Sequence, residues 1–379
     1  MIDLFHVPEG GPYLLSHSVG CLPRSARAAL DEGYLAPWQD TGGAAWGPWL
    51  DTIERFRSAI GGLIGAEISE IAPQQSVSAA LFSLLSGLRP AKGRNRIVMS
   101  EQAFPTVGYV AQGLERLGFE TVLIPAAQSP GDAATWERHI DDRVAAVVAM
   151  HVHSNTGITS PIAEIAALAR RHGALSIVDV AQSAGILPVS ARDWGVDAVI
   201  GSSVKWLCGG PGAAWLWLRS EVTATIEPLD LGWFGHEDPF EFDIRSFRHA
   251  ADASRFQGGS PSIAPFALAA AGIETLRAIG QDTVLRHNRT CISAFEEAVN
   301  RPIDMHGRGG TLCLLFDDVE TLRQTLAPGD FRYDVRGQCL RASFHAWNTV
   351  DEARRLGQAI AEARLDFRLA EQRVVARSV

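Results

Sequence analysis

Between roughly residues 50 and 275 the chain alternates helical patterns with short, almost uninterrupted apolar runs, and this alternation constrains its fold more than any other feature. "IERFRSAIGGLIGA" and "SAALFSLLSGL" carry apolar residues at helical spacing, whereas "RIVMS" is a strand-length run. "VGYVAQGLERLG" (helix) and "ETVLIP" (strand) repeat the pattern. They are followed by "RVAAVVAMHV" (strand) and "IAEIAALARRHG" (helix, ending at Gly173). "ALSIVDV", "DAVIGSS" and "AAWLWLR" complete the series as strands. Strands that are apolar along their whole length need cover on both faces, which predicts an α/β fold with a mainly parallel sheet between helices. After about residue 275 the texture changes. "ALAAAGIETLRAIG" is a long helix suited to link two domains, and "TLCLLFDD" and "QCLRASF" read as strands of a smaller α+β unit closed by "VDEARRLGQAIAEARL". A chain of 379 residues has room for two or three domains. The expected division is an N-terminal segment over 1–45 that packs with the small domain, a large domain over 46–275, and a small C-terminal domain over 276–379.

Charge and cysteine content narrow the partners. The net charge of −9, from 34 Lys plus Arg against 43 Asp plus Glu, argues against nucleic acid or an anionic membrane as the main partner. "MIDLFHVPEGGPYLLSHSVG" lacks the basic start and continuous apolar stretch of a signal peptide, and the apolar runs are too short to span a bilayer. Cys21, Cys208, Cys291, Cys313 and Cys339 are odd in number and form no CxxC pair, which fits a reducing cytoplasm better than a disulfide framework or zinc site. A cytoplasmic protein is expected.

Among the 34 basic residues only Lys92 and Lys205 are lysines. Arginine stays protonated under ordinary conditions, whereas a lysine in a dry pocket can lose its proton and act as a nucleophile. Lys92 falls in the polar turn "RPAKGRNR" and reads as surface. Lys205 sits in "GSSVKWLCGGPG", between an apolar strand and a glycine-rich turn. Ligands of open α/β sheets bind at loops following the strands, and three more such loops carry polar residues. "APQQSVSAAL" ends a loop and opens a helix at Ser76, Val77 and Ser78; the serines are equally a phosphate seat or ordinary N-caps. "ALSIVDVAQSAG" ends its strand at Asp179, with Gln182 three residues on. Lys205 follows 26 residues after Asp179 and one further strand later, so two neighbouring strands would bring acid and amine to one edge. "HVHSNTG" reaches Asn155; its His151 and His153 share a strand face, but no third metal ligand has a recognisable spacing. Phosphate seat, buried carboxylate and deprotonatable lysine together suit pyridoxal 5′-phosphate. The lysine would form the Schiff base and the carboxylate would keep the pyridine nitrogen protonated.

At these residues the sequence resembles the class V aminotransferase family of fold-type I pyridoxal-phosphate enzymes, along nearly its whole length. "VDVAQSAG" and "VDAVIGSSVKWLCGGPG" are similar to that family's Asp-x-x-(Gln/His) and Ser-x-x-Lys blocks. The resemblance implies that Asp179 pairs with the pyridine nitrogen, Gln182 contacts the ring O3′, Ser202 holds the phosphate and Lys205 is the Schiff-base lysine. It also implies cofactor contacts for Asn155 and for Val77 with Ser78. Within the family the likeness is greatest to kynureninases, in "YLLSHSVGCLP", "FPT" at 104–106, "GWFGHE" at 232–237 and "CLRASFHAWNT". That likeness implies that Phe104 stacks on the cofactor, that Trp233 reaches its phosphate and, with His236, lies near the substrate, and that Arg341 binds the substrate α-carboxylate. The sequence departs from kynureninases in five places: His17 stands for their asparagine, Val107 for the aspartate after Phe-Pro-Ser/Thr, Gln182 for the histidine of Asp-x-x-His, Val204 for the tyrosine before the lysine, and "GGSP" for their Ser-Asn-Pro. The last resembles the Gly-Thr-Pro of cysteine desulfurases and implies that Ser260 touches the phosphate of a neighbouring subunit in a homodimer.

The resulting expectation is an enzyme acting at Cα–Cβ of an amino acid, a hydrolase or lyase of kynureninase type that turns over L-kynurenine itself poorly. Transamination, C–S cleavage or epimerisation on the same scaffold is the alternative. A nicotinamide dehydrogenase has only the broken glycine pattern of "GGPGAAW" in its favour. A catalytically dead binding protein would have little reason to keep Lys205, Asp179 and Arg341 together.

Overall fold

The computed structural model describes residues 1–91 and 93–371, so Lys92 lies outside the described residues. Its main sheet has seven strands: β1 (Ile71–Gln74), β2 (Arg96–Ser100), β3 (Glu120–Ile124), β4 (Val144–Met150), β5 (Leu175–Asp179), β6 (Ala198–Ser202) and β7 (Ala214–Leu218), in the spatial order β1-β7-β6-β5-β4-β2-β3. β7 runs antiparallel to both its neighbours, and the remaining pairings are parallel. Side chains leave the sheet alternately. In β4, Val147 and Ala149 join one core while Ala146, Val148 and Met150 join the other. Helices α1 (Trp46–Ile64), α4 (Ile162–Arg171) and α5 (Ala264–Ile279) cover the first face with Phe56, Ile165 and Phe266. Helices α2 (Val77–Ser86) and α3 (Pro105–Gly113) cover the second with Leu84 and Val107. The continuous apolar strands are explained by this double cover, each buried Val, Leu or Ile contributing about 1.5–3 kcal/mol.

Beyond α5, helix α6 (Gln281–Val299) follows after the turn at Gly280. A second sheet of β8 (Thr311–Leu315), β9 (Asp334–Arg336), β10 (Cys339–Ser343) and β11 (Arg368–Leu369) has the antiparallel order β9-β10-β8-β11. Its core is closed by α6 and α7 (Val350–Glu362) through Phe295, Leu356 and Ile360. A capping box between Thr349 and Glu352 starts α7, satisfying two backbone N–H groups that the helix cannot. The N-terminal segment ties the two sheets together. The Leu14 N–H donates to Arg332 O at 2.9 Å and its carbonyl accepts from Ser343 N at 3.0 Å, while Gly20 N donates to Val204 O at 2.8 Å beside the main sheet.

Candidate active site

β5 and β6 are parallel neighbours with Asp179 level with Ile200, so the 26-residue separation of Asp179 and Lys205 collapses at one sheet edge. The turn carrying Lys205 is held from several sides. Ser203 N donates to Ala213 O at 2.9 Å and Gly209 N to Ser203 O at 2.7 Å, closing the loop onto β7. A Cβ at Gly20 would lie 2.2 Å from the Lys205 carbonyl, so only glycine lets the N-terminal segment pass this close. Below the turn Trp206 is fully buried and stacks on His345 at 5.6 Å between centroids.

Asp179, Gln182, Ser202, Val204 and Lys205 line one cavity of about 380 Å³ together with Ser76, Val77, Ser78 and Phe104. The Lys205 ammonium lies 5.5 Å from the centroid of the Phe104 ring and, among the described residues, has no hydrogen-bond partner. Burial lowers its pKa to about 8, with Arg341 and Arg336 adding to the fall and Asp179 opposing it. Burial raises the carboxyl of Asp179 above its ordinary range, against the opposing influence of Lys205 and the Ala181 N–H. Both members of this pair are therefore pushed toward neutrality. Asp179 Oδ1 accepts from Ala181 N at 2.8 Å, and its other oxygen has no hydrogen bond among the described residues. Gln182 Nε2 donates to the His17 carbonyl at 3.0 Å, leaving its amide oxygen for the cavity.

Across the cavity, α2 begins with Ser76 as its N-cap, whose Oγ accepts from Ala79 N at 3.1 Å. Ser78 Oγ lies 2.5 Å from Thr106 Oγ1 at the start of α3. Ser76 thus does the capping, and the first-turn N–H groups of Val77 and Ser78 face a ligand site without intrahelical partners. An anion seat, an amine, an unpaired carboxylate oxygen and an aromatic wall share one cavity. This donor set fits pyridoxal phosphate, whose groups are a phosphate, an aldehyde, a ring nitrogen and a flat ring.

Other expected site residues lie apart from this cavity within the chain. Trp233 and His236 line a separate cavity of about 390 Å³ with Phe242 and Phe247. Ser260 lines a third, which shares Gln75 with the Lys205 cavity, and accepts from Trp233 Nε1 at 3.3 Å. Asn155 is half-buried at the junction of the two sheets, its carbonyl accepting from Cys339 Sγ at 3.5 Å. Arg341 is completely buried. Its Nε donates to Asp334 Oδ1 at 2.8 Å, its Nη2 to Asp334 Oδ2, and its Nη1 to Ser154 O at 3.0 Å. His151 packs against Trp194, whereas His153 turns to Gln102 O and Ser160 Oγ. Thr106, Gln75 and Asp334 were not anticipated. Thr106 stands in the quoted "FPT", and Asp334 lies seven residues before Arg341, a spacing that only the β9–β10 hairpin makes meaningful.

Comparison with known proteins identifies relatives of the whole chain. Residues 48–306 match the family described as aminotransferase class-V. The chain is 30% identical to an uncharacterized aminotransferase, YcbU, of Bacillus subtilis over 94% of this chain and 98% of that protein. It is also 30% identical to a kynureninase of Pseudomonas fluorescens over 80% of this chain and 74% of the relative. Among solved structures, a cysteine desulfurase from Thermococcus onnurineus NA1 superposes with a TM-score of 0.79 at 21% identity, covering 93% of this chain and 94% of that one. The cystine C–S lyase C-DES, solved with its product cysteine persulfide, superposes with a TM-score of 0.83 at 22% identity, covering 93% and 98%. The chain belongs to the class-V aminotransferase family and is a pyridoxal 5′-phosphate enzyme.

Proposed function

We propose that this enzyme acts at the Cα–Cβ bond of an α-amino acid, as a hydrolase or lyase of kynureninase type, with Lys205 as its catalytic amine. The observation that carries the reading is the sharing of one cavity by Asp179 and Lys205 at adjacent strand ends, facing the α2 N-terminus. Bound pyridoxal phosphate supplies the electron sink that makes bonds at Cα labile. Lys205 would hold the cofactor, and its buried amine, lowered in pKa by desolvation, would be suited to take a proton from Cα. Asp179 would pair with the ring nitrogen, Gln182 would contact the ring oxygen, and Phe104 would cover the ring. Ser76, Val77, Ser78 and Ser202 hold the phosphate, Asn155 steadies the cofactor from the domain junction, and Arg341 takes the substrate carboxylate.

Trp233, His236 and Ser260 complete the site from a second copy of the chain in a homodimer. Support comes from the segment that carries Trp233 and His236, which exposes Phe242 (75%) and Ile244 (99%) to solvent in a single chain. A fully active monomer in sedimentation would remove this part of the reading.

Val204 lines the cavity in place of a tyrosine and offers no hydroxyl for proton relay. Substrates with an aromatic or carbonyl-bearing side chain should therefore exchange their Cα proton, while L-kynurenine is cleaved slowly. Incubation in heavy water, with mass spectrometry for Cα deuterium and fluorescence for anthranilate, measures both. Anthranilate release at about 1–10 s⁻¹, an ordinary turnover, would mean that Val204 costs nothing. Absence of Cα exchange with every amino acid tried would remove the function proposed. Transamination is the second reading, favoured by the YcbU likeness along 94% of the chain.

A further inference from the structure

Arg341 is fully buried, yet the Asp334 carboxylate that grips it from two sides is partly open to solvent, with 27% of its side chain exposed. Asp334 occupies the guanidinium fork in the two-toothed manner of any carboxylate ligand. Two further groups face it. Arg336, on the same edge strand β9 and about half exposed, lies 3.6 Å away through Nε. His17 Nε2 lies 3.8 Å away, buried and without a hydrogen-bond partner among the described residues. His17 Nδ1 lies 2.9 Å from Ser343 Oγ, which also lies 3.1 Å from Leu14 O, so Nε2 is the ring nitrogen that faces Asp334. β9 is an edge strand joined to β10 through the turn at Gly337 and Gln338, so displacement toward Arg336 breaks no central ladder.

We propose that Asp334 is the residue that sets how tightly this enzyme holds the carboxylate of its substrate, acting as an internal carboxylate that the ligand must displace from Arg341 toward Arg336. The proposal rests on the reading that Arg341 takes the substrate carboxylate. A site whose competent form is a small fraction of the population binds more weakly by that fraction, so removing the internal competitor tightens binding.

The test uses the holoenzyme with L-alanine and L-alaninamide, which differ only in the carboxylate, and reads equilibrium binding by calorimetry. Asp334→Asn should bind L-alanine about tenfold more tightly with L-alaninamide unchanged. Acetate, compared with chloride at equal ionic strength, should raise the melting temperature of Asp334→Ala but not of the wild type, by filling the vacated fork. Arg336→Gln, which keeps the buried pair and so the fold, should weaken L-alanine binding because displaced Asp334 has lost its landing site. Weaker or unchanged L-alanine binding in Asp334→Asn would overturn the proposal, leaving Asp334 as a brace for Arg341. So would an Arg336→Gln variant that binds as the wild type does, should Asp334→Asn not fold. Unchanged L-alanine affinity in Arg341→Met would instead remove the reading of Arg341 itself.

Discussion

The protein holds two acid–base pairs, Asp179 with Lys205 and Asp334 with Arg341, and the fold treats them in opposite ways. Asp179 and Lys205 share one cavity without a hydrogen bond between them, and burial pushes both toward their neutral forms. Asp334 and Arg341 are in two-toothed contact. Burial opposes the charge of Asp334, but its flanking groups outweigh this and hold its carboxyl well below the ordinary carboxylate range. These groups are His17, 3.8 Å away, and Arg341, which is in hydrogen-bond contact. The difference is one of chemistry. A lysine can shed its proton and a guanidinium cannot, so the pair kept apart is suited to reaction and the pair in contact to recognition.

The sharpest way to break the comparison is at Lys205. Lys205→Ala and Lys205→Arg should each lower turnover by on the order of 10³-fold or more, because nucleophile and proton carrier vanish together. Borohydride trapping followed by peptide mass spectrometry should find the phosphopyridoxyl group on Lys205 in the wild type and on no residue of either variant. Near-normal turnover in Lys205→Arg would erase the distinction drawn between the two pairs.

The contact pair should instead answer in stability. Arg341→Met strands Asp334 beside a buried site, and loss of one partner from a buried pair costs about 3–5 kcal/mol. Urea unfolding with activity-independent detection measures this. A cost below about 1 kcal/mol would mark the pair as a surface-like contact.

The smallest effect is one of pH. The unfolded chain keeps a proton on Lys205 up to about pH 10.5, whereas the folded chain releases it near pH 8. Between these values the unfolded state binds more protons, so stability should rise with pH at up to about 1.4 kcal/mol per unit. Below pH 8 the penalty of the buried charge is fully present. The cofactor-free protein should show this slope in urea titrations from pH 7.5 to 10, and Lys205→Met should lack it. Equal slopes would mean that Lys205 is solvated in the folded chain.

Much of the main domain was legible because periodicity reports burial. "RIVMS" forms β2 over the same five residues, and the runs read as strands at 174–180, 197–203 and 213–219 contain β5, β6 and β7. β1 lies in a stretch whose sequence reads as loop. It is four residues long and contains Pro73, which is tolerated because β1 is an edge strand. The antiparallel direction of β7 has no signature in periodicity, since a strand buried on both faces looks the same either way round.

The sequence by itself determined the layered α/β architecture and the meeting of Asp179 with Lys205. Both follow from local patterns and from a connection only one strand long. Only the tertiary structure decided that Arg341 is gripped by Asp334, that His17 faces this pair, and that Trp233, His236 and Ser260 line cavities of their own. Those relations depend on chain segments up to 326 residues apart, as between His17 and Ser343, folding back on one another. A charged residue carries no local mark of which distant partner will share its burial.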